Sequence, residues 1–281
     1  MIDIHTHTTC SDGTDSPLAL VKKAASSGIT VLGLADHDTT SGWAEAIAAL
    51  HGSMKLALGS EVSCLTVEGT SVHMLGLLFD GENQPLQQLL SDSRDTRIPR
   101  MKKMIENLQN AGYDITLDDV QAVTPEGATV GRPHLADALV AKRIVSRRDE
   151  AFAELLHNES PYYVSHFAPT PEDSIRAIRA AGGVAVIAHP FASKRGQIIT
   201  PETFESLVAA GLNGIEVFHR DQSEDERNQL IEVARALDLV ITGSSDYHGT
   251  GKMNQLGENT TAQAEWERLE SMADQRRVVS R

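Results

Sequence analysis

Short apolar, β-branched runs alternate along this chain with stretches whose apolar positions recur at helical spacing. The runs predict strands over residues 2–5, 31–35, 56–62, 72–78, 184–188, 214–218 and 239–242. Amphipathic stretches between them predict helices over 17–27, 41–50, 171–181, 201–210 and 224–237. Three of these begin with a capping residue followed by proline, at Ser16-Pro17, Thr170-Pro171 and Thr200-Pro201. Strands alternating with helices imply an α/β fold with a largely parallel sheet, either open or closed into a barrel.

The rhythm changes over residues 83–166, where the periodicity is helical and no strand pattern emerges. This segment carries Arg94, Arg97, Arg100, Lys102, Lys103, Arg132, Lys142, Arg143, Arg147 and Arg148. It is expected to be a helical insertion, or cap domain, folding over the barrel mouth, with the barrel itself built from 1–82 and 167–281. A surface helical hairpin without functional part is the competing expectation. The tail beyond Thr261 reads as a closing helix with a frayed basic end.

At 281 residues the chain is long enough for one α/β barrel or two modest domains. A net charge of -14 argues against stable gripping of duplex nucleic acid through a basic face. It leaves room for a small phosphorylated substrate, because bound cations and a few arginines reverse the potential inside a pocket. Two cysteines, Cys10 and Cys64, are too few for a disulfide scaffold and point to a reducing cytoplasm. No apolar run of about 18 residues occurs, so no membrane association is expected.

Residues suited to metal binding recur at strand ends, which favours a barrel-type site. His5 and His7 stand two apart, the spacing that points strand side chains to one face, and Asp12-Gly13 opens a turn. His37 follows the second strand and Glu61 ends the third. His73 starts the next, His189 ends a continuous apolar run, and Asp246 and His248 follow the last. One histidine after an apolar strand is more often a hydrogen-bonded core residue. Six histidines and three carboxylates at six strand-associated places are not explained that way, and supply ligands for two or three divalent ions such as Mn²⁺, Fe²⁺ or Zn²⁺.

The motifs His5-Thr-His7 with Ser11-Asp12-Gly13, Asp36-His37-Asp38, Gly59-Ser-Glu61, His73, Ala188-His189-Pro190 and Ser245-Asp246-Tyr-His248 resemble, in type and order, those of the polymerase and histidinol phosphatase (PHP) family. The resemblance implies a distorted (β/α)7 barrel with a trinuclear metal centre. Carried over residue by residue, it implies one ion on His5, His7, Glu61 and Asp246, with Glu61 bridging to a second on His73 and His189. The third would sit on Asp12, His37 and His248.

Such an array suits hydrolysis of a phosphate ester by a hydroxide shared between two cations. In Val130-Gly-Arg-Pro-His134, the glycine and proline place Arg132 and His134 at a helix start, where a guanidinium fork matches phosphate oxygens. A structural salt bridge is the alternative for Arg132. His219, beyond the sixth strand, is expected to bind phosphate or protonate the leaving oxygen, with Glu216 supporting a ligand. Lys194 and Arg195 read as solvated loop residues, and His51, His157 and His166 receive no role.

The layout resembles stand-alone phosphoesterases that remove the 3′-phosphate of nucleoside 3′,5′-bisphosphates, whose relatives trim short 5′-phosphorylated RNA. Histidinol phosphate phosphatase is the alternative enzyme, and a non-catalytic metal-binding PHP module is a third reading.

Overall fold

The computed structural model describes residues 1–165, 168–274 and 278–280. His166, the last residue of the expected insertion, and Arg276, Arg277 and Arg281 of the expected basic tail lie outside the described residues.

Seven strands lie side by side in chain order: β1 (Ile2–Asp3), β2 (Val31–Leu34), β3 (Lys55–Leu65), β4 (Ser71–Leu77), β5 (Val184–Ala188), β6 (Gly214–Phe218) and β7 (Val240–Gly243). The ends of this sheet meet beyond the ladders, where Thr6 bridges Tyr247 and His7 N donates to Tyr247 O at 2.8 Å. The result is a nearly closed barrel. Neighbouring strands run parallel except around β4, which is antiparallel to both β3 and β5. A short strand β8 (Val278–Val279), absent from the sequence expectation, pairs antiparallel with β3 after the closing helix.

Helices α1 (Pro17–Ser26), α2 (Trp43–Ala49), α8 (Pro171–Ala180), α9 (Thr203–Ala210), α10 (Glu224–Ala236) and α11 (Gln263–Ser271) accompany the barrel strands. Ser16 and Thr170 cap their helices by accepting from Ala19 N and Asp173 N, as their sequence contexts predict. Thr200 does not cap α9. Residues 200–204 form a turn in which Thr203 N and Phe204 N bond Thr200 O and Pro201 O, and the helix starts later, at Thr203.

Apolar side chains of the barrel and its flanking helices fill two regions. One cluster, including Ile4, Leu75, Val186 and Val240, fills the barrel. Others, including Leu20, Leu34, Ile178, Ile187 and Leu230, lie between strands and helices. Between β4 and α8 stand α3 (Gln84–Asp95), α4 (Arg97–Asn110), α5 (Leu117–Val123), α6 (Arg132–Ala141) and α7 (Arg148–Glu154). The last four share a core of their own around Met104, Leu108, Leu135 and Leu139. This helical unit reaches the barrel loops through Thr129 N to Cys10 O, Arg97 to Asp38 and Arg148 to Gly251 O. Among the described residues no helix is long and apolar enough to cross a membrane.

Candidate metal centre

The strands deliver nine donor side chains to one mouth of the barrel. β1 is only two residues long, so His5 and His7 project from the segment that follows it. That segment is tied down by Asp36, whose carboxylate accepts from Thr8 N, Thr8 Oγ1 and Ser11 Oγ at 2.6–2.7 Å. The same turn presents Asp12. Glu61 sits inside the long β3 ladder, paired in register with Leu75 of β4. The reversed direction of β4 solves the placement of His73, because its N-terminal end lies beside the C-terminal ends of its neighbours. His73 is paired with Ser63 on one side and Ala188 on the other. His189 and Asp246 occupy left-handed backbone conformations, with φ of 32° and 52°, where each chain segment turns off its strand.

Four donor atoms converge first. His5 Nε2, His7 Nε2, Glu61 Oε2 and Asp246 Oδ1 are separated by 3.1 Å between the imidazoles and 3.1–3.5 Å between imidazole and carboxylate. Ligands at about 2.1 Å from a shared ion stand about 3.0 Å apart in octahedral and 3.4 Å apart in tetrahedral coordination. The spacing therefore fits a cation. Glu61 divides its oxygens: Oε2 faces His5, His7 and His37, while Oε1 lies 2.9 Å from His73 Nδ1 and 3.3 Å from His189 Nε2. A further group gathers His7, Asp12, His37 and His248, and a third His37, Glu61 and His73. His37 Nδ1 and His248 Nε2 are buried without a hydrogen-bond partner. His248 Nδ1 donates to Asp246 O at 2.8 Å, which leaves the Nε2 lone pair of the neutral ring beside Asp12 at 3.2 Å, and His37 Nδ1 lies 3.2 Å from Glu61 Oε2, so both orphaned nitrogens border space that a cation would fill. These groups bring together eight of the expected ligands, and His189 joins through Glu61.

Electrostatics prepare the donors unequally. Burial disfavours ionisation of Glu61, Asp246 and Asp12, yet the cationic and imidazole groups around them hold all three well below the usual carboxylate range. Burial drives His37 down to about 3 and His248 to about 4, and burial with Arg195 pushes His189 well below its ordinary value. These three imidazoles are neutral, as a metal ligand must be. His7 behaves oppositely: burial lowers it, but hydrogen bonding to Asp246 and Glu61 outweighs burial and lifts it to about 9. His5 is raised by Glu61, Glu216 and Asp246 against the same opposition. Glu216 Oε1 lies 3.0 Å from His5 Nδ1 and Oε2 accepts from His189 N, so one buried carboxylate orients two donors.

Around this centre lie the expected substrate residues. His219 is buried, with Nδ1 accepting from Asp221 N at 3.1 Å and Nε2 3.3 Å from Asp246 Oδ2. Arg132 donates to Leu156 O and Asn158 Oδ1, stacks over Tyr163, and lines a cavity of about 100 Å³ with His73, His189 and Arg195. His134 is buried at the start of α6, its Nδ1 accepting from Gly131 N, and does not line that cavity.

The expectation for Arg195 is overturned. Its guanidinium reaches Asp246 Oδ2 and Asp221 Oδ2, both at 2.7 Å, and His189 Nε2 at 3.1 Å. Lys194 does remain exposed. Sequence reasoning also missed Lys252, whose Nζ lies 2.9 Å from the same Asp246 oxygen. Both are long side chains on loops, where no periodicity marks direction. Their only signal is proximity in sequence to a ligand.

Seven strands closing a ring, with buried imidazoles and carboxylates gathered at one mouth, make a barrel built to hold divalent ions, and the family it matches is one of metal-dependent phosphoesterases. The PHP domain model matches residues 3–147, and the chain belongs to that family. It is 34% identical over 259 residues to the 5′-3′ exoribonuclease of Haemophilus influenzae, covering 92% of this chain and 93% of the relative. It is 33% identical over 252 residues to the 3′,5′-nucleoside bisphosphate phosphatase of Chromobacterium violaceum, covering 89% and 88%. A phosphoribosyl 1,2-cyclic phosphate 1,2-diphosphodiesterase of Eggerthella lenta is 30% identical over 262 residues, covering 91% and 97%. A solved Bifidobacterium adolescentis protein, provisionally described as a metal-dependent phosphoesterase, superposes with a TM-score of 0.91 at 40% identity, covering 96% of both chains.

Proposed function

We propose that this chain hydrolyses a phosphate monoester on a sugar carrying a second phosphate, foremost the 3′-phosphate of a nucleoside 3′,5′-bisphosphate, and that short 5′-phosphorylated RNA is a further substrate. The observation that carries this reading is the cavity beside His73 and His189. Arg132 and Arg195 line it, and no carboxylate is among its lining residues. Arg132 is held by neutral acceptors, so its charge is available to a phosphate. Histidinol phosphate carries an amine that calls for an acidic partner, which this cavity lacks.

His5, His7, Glu61 and Asp246 would hold one divalent ion, Glu61, His73 and His189 a second, and Asp12, His37 and His248 a third. Mn²⁺, Fe²⁺ or Zn²⁺ there supplies a water acidic enough to attack at neutral pH and neutralises phosphate oxygens. His73 and His37 side chains are 28% and 13% exposed, whereas His5, His7 and His248 are fully buried, so the substrate arrives from the His73 side. Because His219 Nδ1 accepts a backbone hydrogen bond, its neutral ring keeps the proton on Nε2. That N–H faces Asp246 Oδ2 at 3.3 Å, so His219 would steady this carboxylate and reach a phosphate or leaving oxygen only by exchanging that partner. Arg132 orients the second phosphate.

The test is phosphate release from adenosine 3′,5′-bisphosphate, histidinol phosphate and a short 5′-phosphorylated RNA, each with Mn²⁺. The bisphosphate is expected to be fastest. Faster release from histidinol phosphate would overturn this choice, and negligible release from all three would favour the non-catalytic module.

A further inference from the structure

Arg97 belongs to α4 of the helical unit, yet its guanidinium is committed largely to the barrel. Nε donates to Asp38 Oδ2 at 3.1 Å, Nη2 donates to the same oxygen and to Ser63 Oγ at 2.8 Å, and Nη1 reaches Val130 O at 3.2 Å. The residue is only 8% exposed and Asp38 is fully buried. Asp38 adopts a left-handed conformation with φ of 52°, its second oxygen accepts from Ser63 N at 2.8 Å, and its carbonyl accepts from Arg94.

Each partner adjoins a residue of the site. Asp38 follows His37, whose Nδ1 is one of the two unpartnered buried imidazole nitrogens. Ser63 pairs across the ladder with His73. Val130 leads into Gly131-Arg132, the start of α6 that carries the cavity arginine. A guanidinium is suited to this task because its planar fork serves several acceptors in fixed directions, which an ammonium cannot do.

We propose that Arg97 is a positioning residue that registers the helical unit against the His37 and His73 side of the metal centre, and so aligns Arg132 with the ions. It makes no contact with the His5, His7 and Asp246 donors. Its removal therefore weakens one part of the centre and leaves the other. The inference rests on the donors holding metal, as in the proposed function.

Breaking a buried ion pair from one side leaves an uncompensated charge, so Arg97→Met alone confounds stability with positioning. The double variant Arg97→Met/Asp38→Asn removes both charges and separates them. The metal-free parent and double variant are titrated with Mn²⁺, unfolding midpoints are recorded, and KM and kcat are measured on adenosine 3′,5′-bisphosphate. The expected result is a midpoint near the parent's, about tenfold weaker binding of the last-filled Mn²⁺, the size of effect that partners of metal ligands exert, and a raised KM. Arg97→Lys, which keeps the buried charge paired but loses the fork, is expected to show the same two defects. Recovery of Mn²⁺ affinity and KM together with stability in the double variant would reduce Arg97 to a structural role and overturn the proposal. A parent chain that takes up no Mn²⁺ overturns the metal reading itself and this inference with it.

Discussion

Asp246 presents each of its oxygens to a different neighbourhood. Oδ1 faces the His5 and His7 imidazoles, while Oδ2 takes Arg195, Lys252 and the His219 ring. The carboxylate is thereby fixed from outside the convergent group. Glu216 does similar work for His5 and His189, and its effect is separable because it lies outside the convergent donor groups. Glu216→Gln keeps the shape but loses the charge that favours a proton on His5 Nδ1, the tautomer that leaves Nε2 free for a cation. We predict a 10- to 100-fold loss of metal affinity, measured by competition with a chelating dye, with circular dichroism unchanged. Affinity equal to the parent's would show that Glu216 only fills space.

At the scale of elements, the strands were legible because period and composition both point to them, and most of the candidate donors stood out because they lie beside an apolar run. The direction of β4 was not. Alternating residues such as Val72 and Met74, or Leu75 and Leu77, read the same both ways along a strand, and only the short connection from β3 hints at a hairpin. The full length of β3 was missed because residues 63–65 pair with β4 beyond the apolar run. The Arg97–Asp38 contact joins residues 59 apart and leaves no local pattern. Strand packing does leave one mark in Gly33 of β2, where an added Cβ would lie 2.0 Å from Ile4 O. That atom belongs to the backbone beside the ligands, so it cannot move away cheaply. Gly33→Ala is expected to destabilise the fold by at least about 1–3 kcal/mol, the usual cost of overpacking, read as a lowered denaturant midpoint. An unchanged midpoint would mean that the β1 segment shifts freely.

For the molecule as a whole, proton and metal compete for the same centre. His7, raised from 6.5 to about 9 in the metal-free protein, contributes stability that is fully present below pH 6.5 and lost as pH rises through 9. His37 and His248, lowered to about 3 and 4, are neutral in folded and unfolded chains above pH 6.5 and contribute no slope there. The lowered carboxylates act only in the acid range. In the window from 6.5 to 9 the chelated protein is therefore expected to lose thermal stability, because folded His7 keeps a proton that the unfolded chain has already released, and the raised His5 acts in the same direction. The Mn²⁺-loaded protein, in which those protons are already displaced, is expected to show no such decline and to unfold at a higher temperature throughout. Calorimetry at several pH values checks both, and parallel curves for the two forms would contradict the assignment of His5 and His7 as ligands.

The ring is joined where Thr6 meets Tyr247, and its donors run from His5 to His248. A ribosome must therefore translate nearly all of this sequence before any emerging stretch holds the full set of candidate donors. Fragments that end short of Asp246 are expected to be inert toward phosphate esters. On this geometry, phosphoesterase activity is expected to begin only when synthesis has brought the late strand back to the early one.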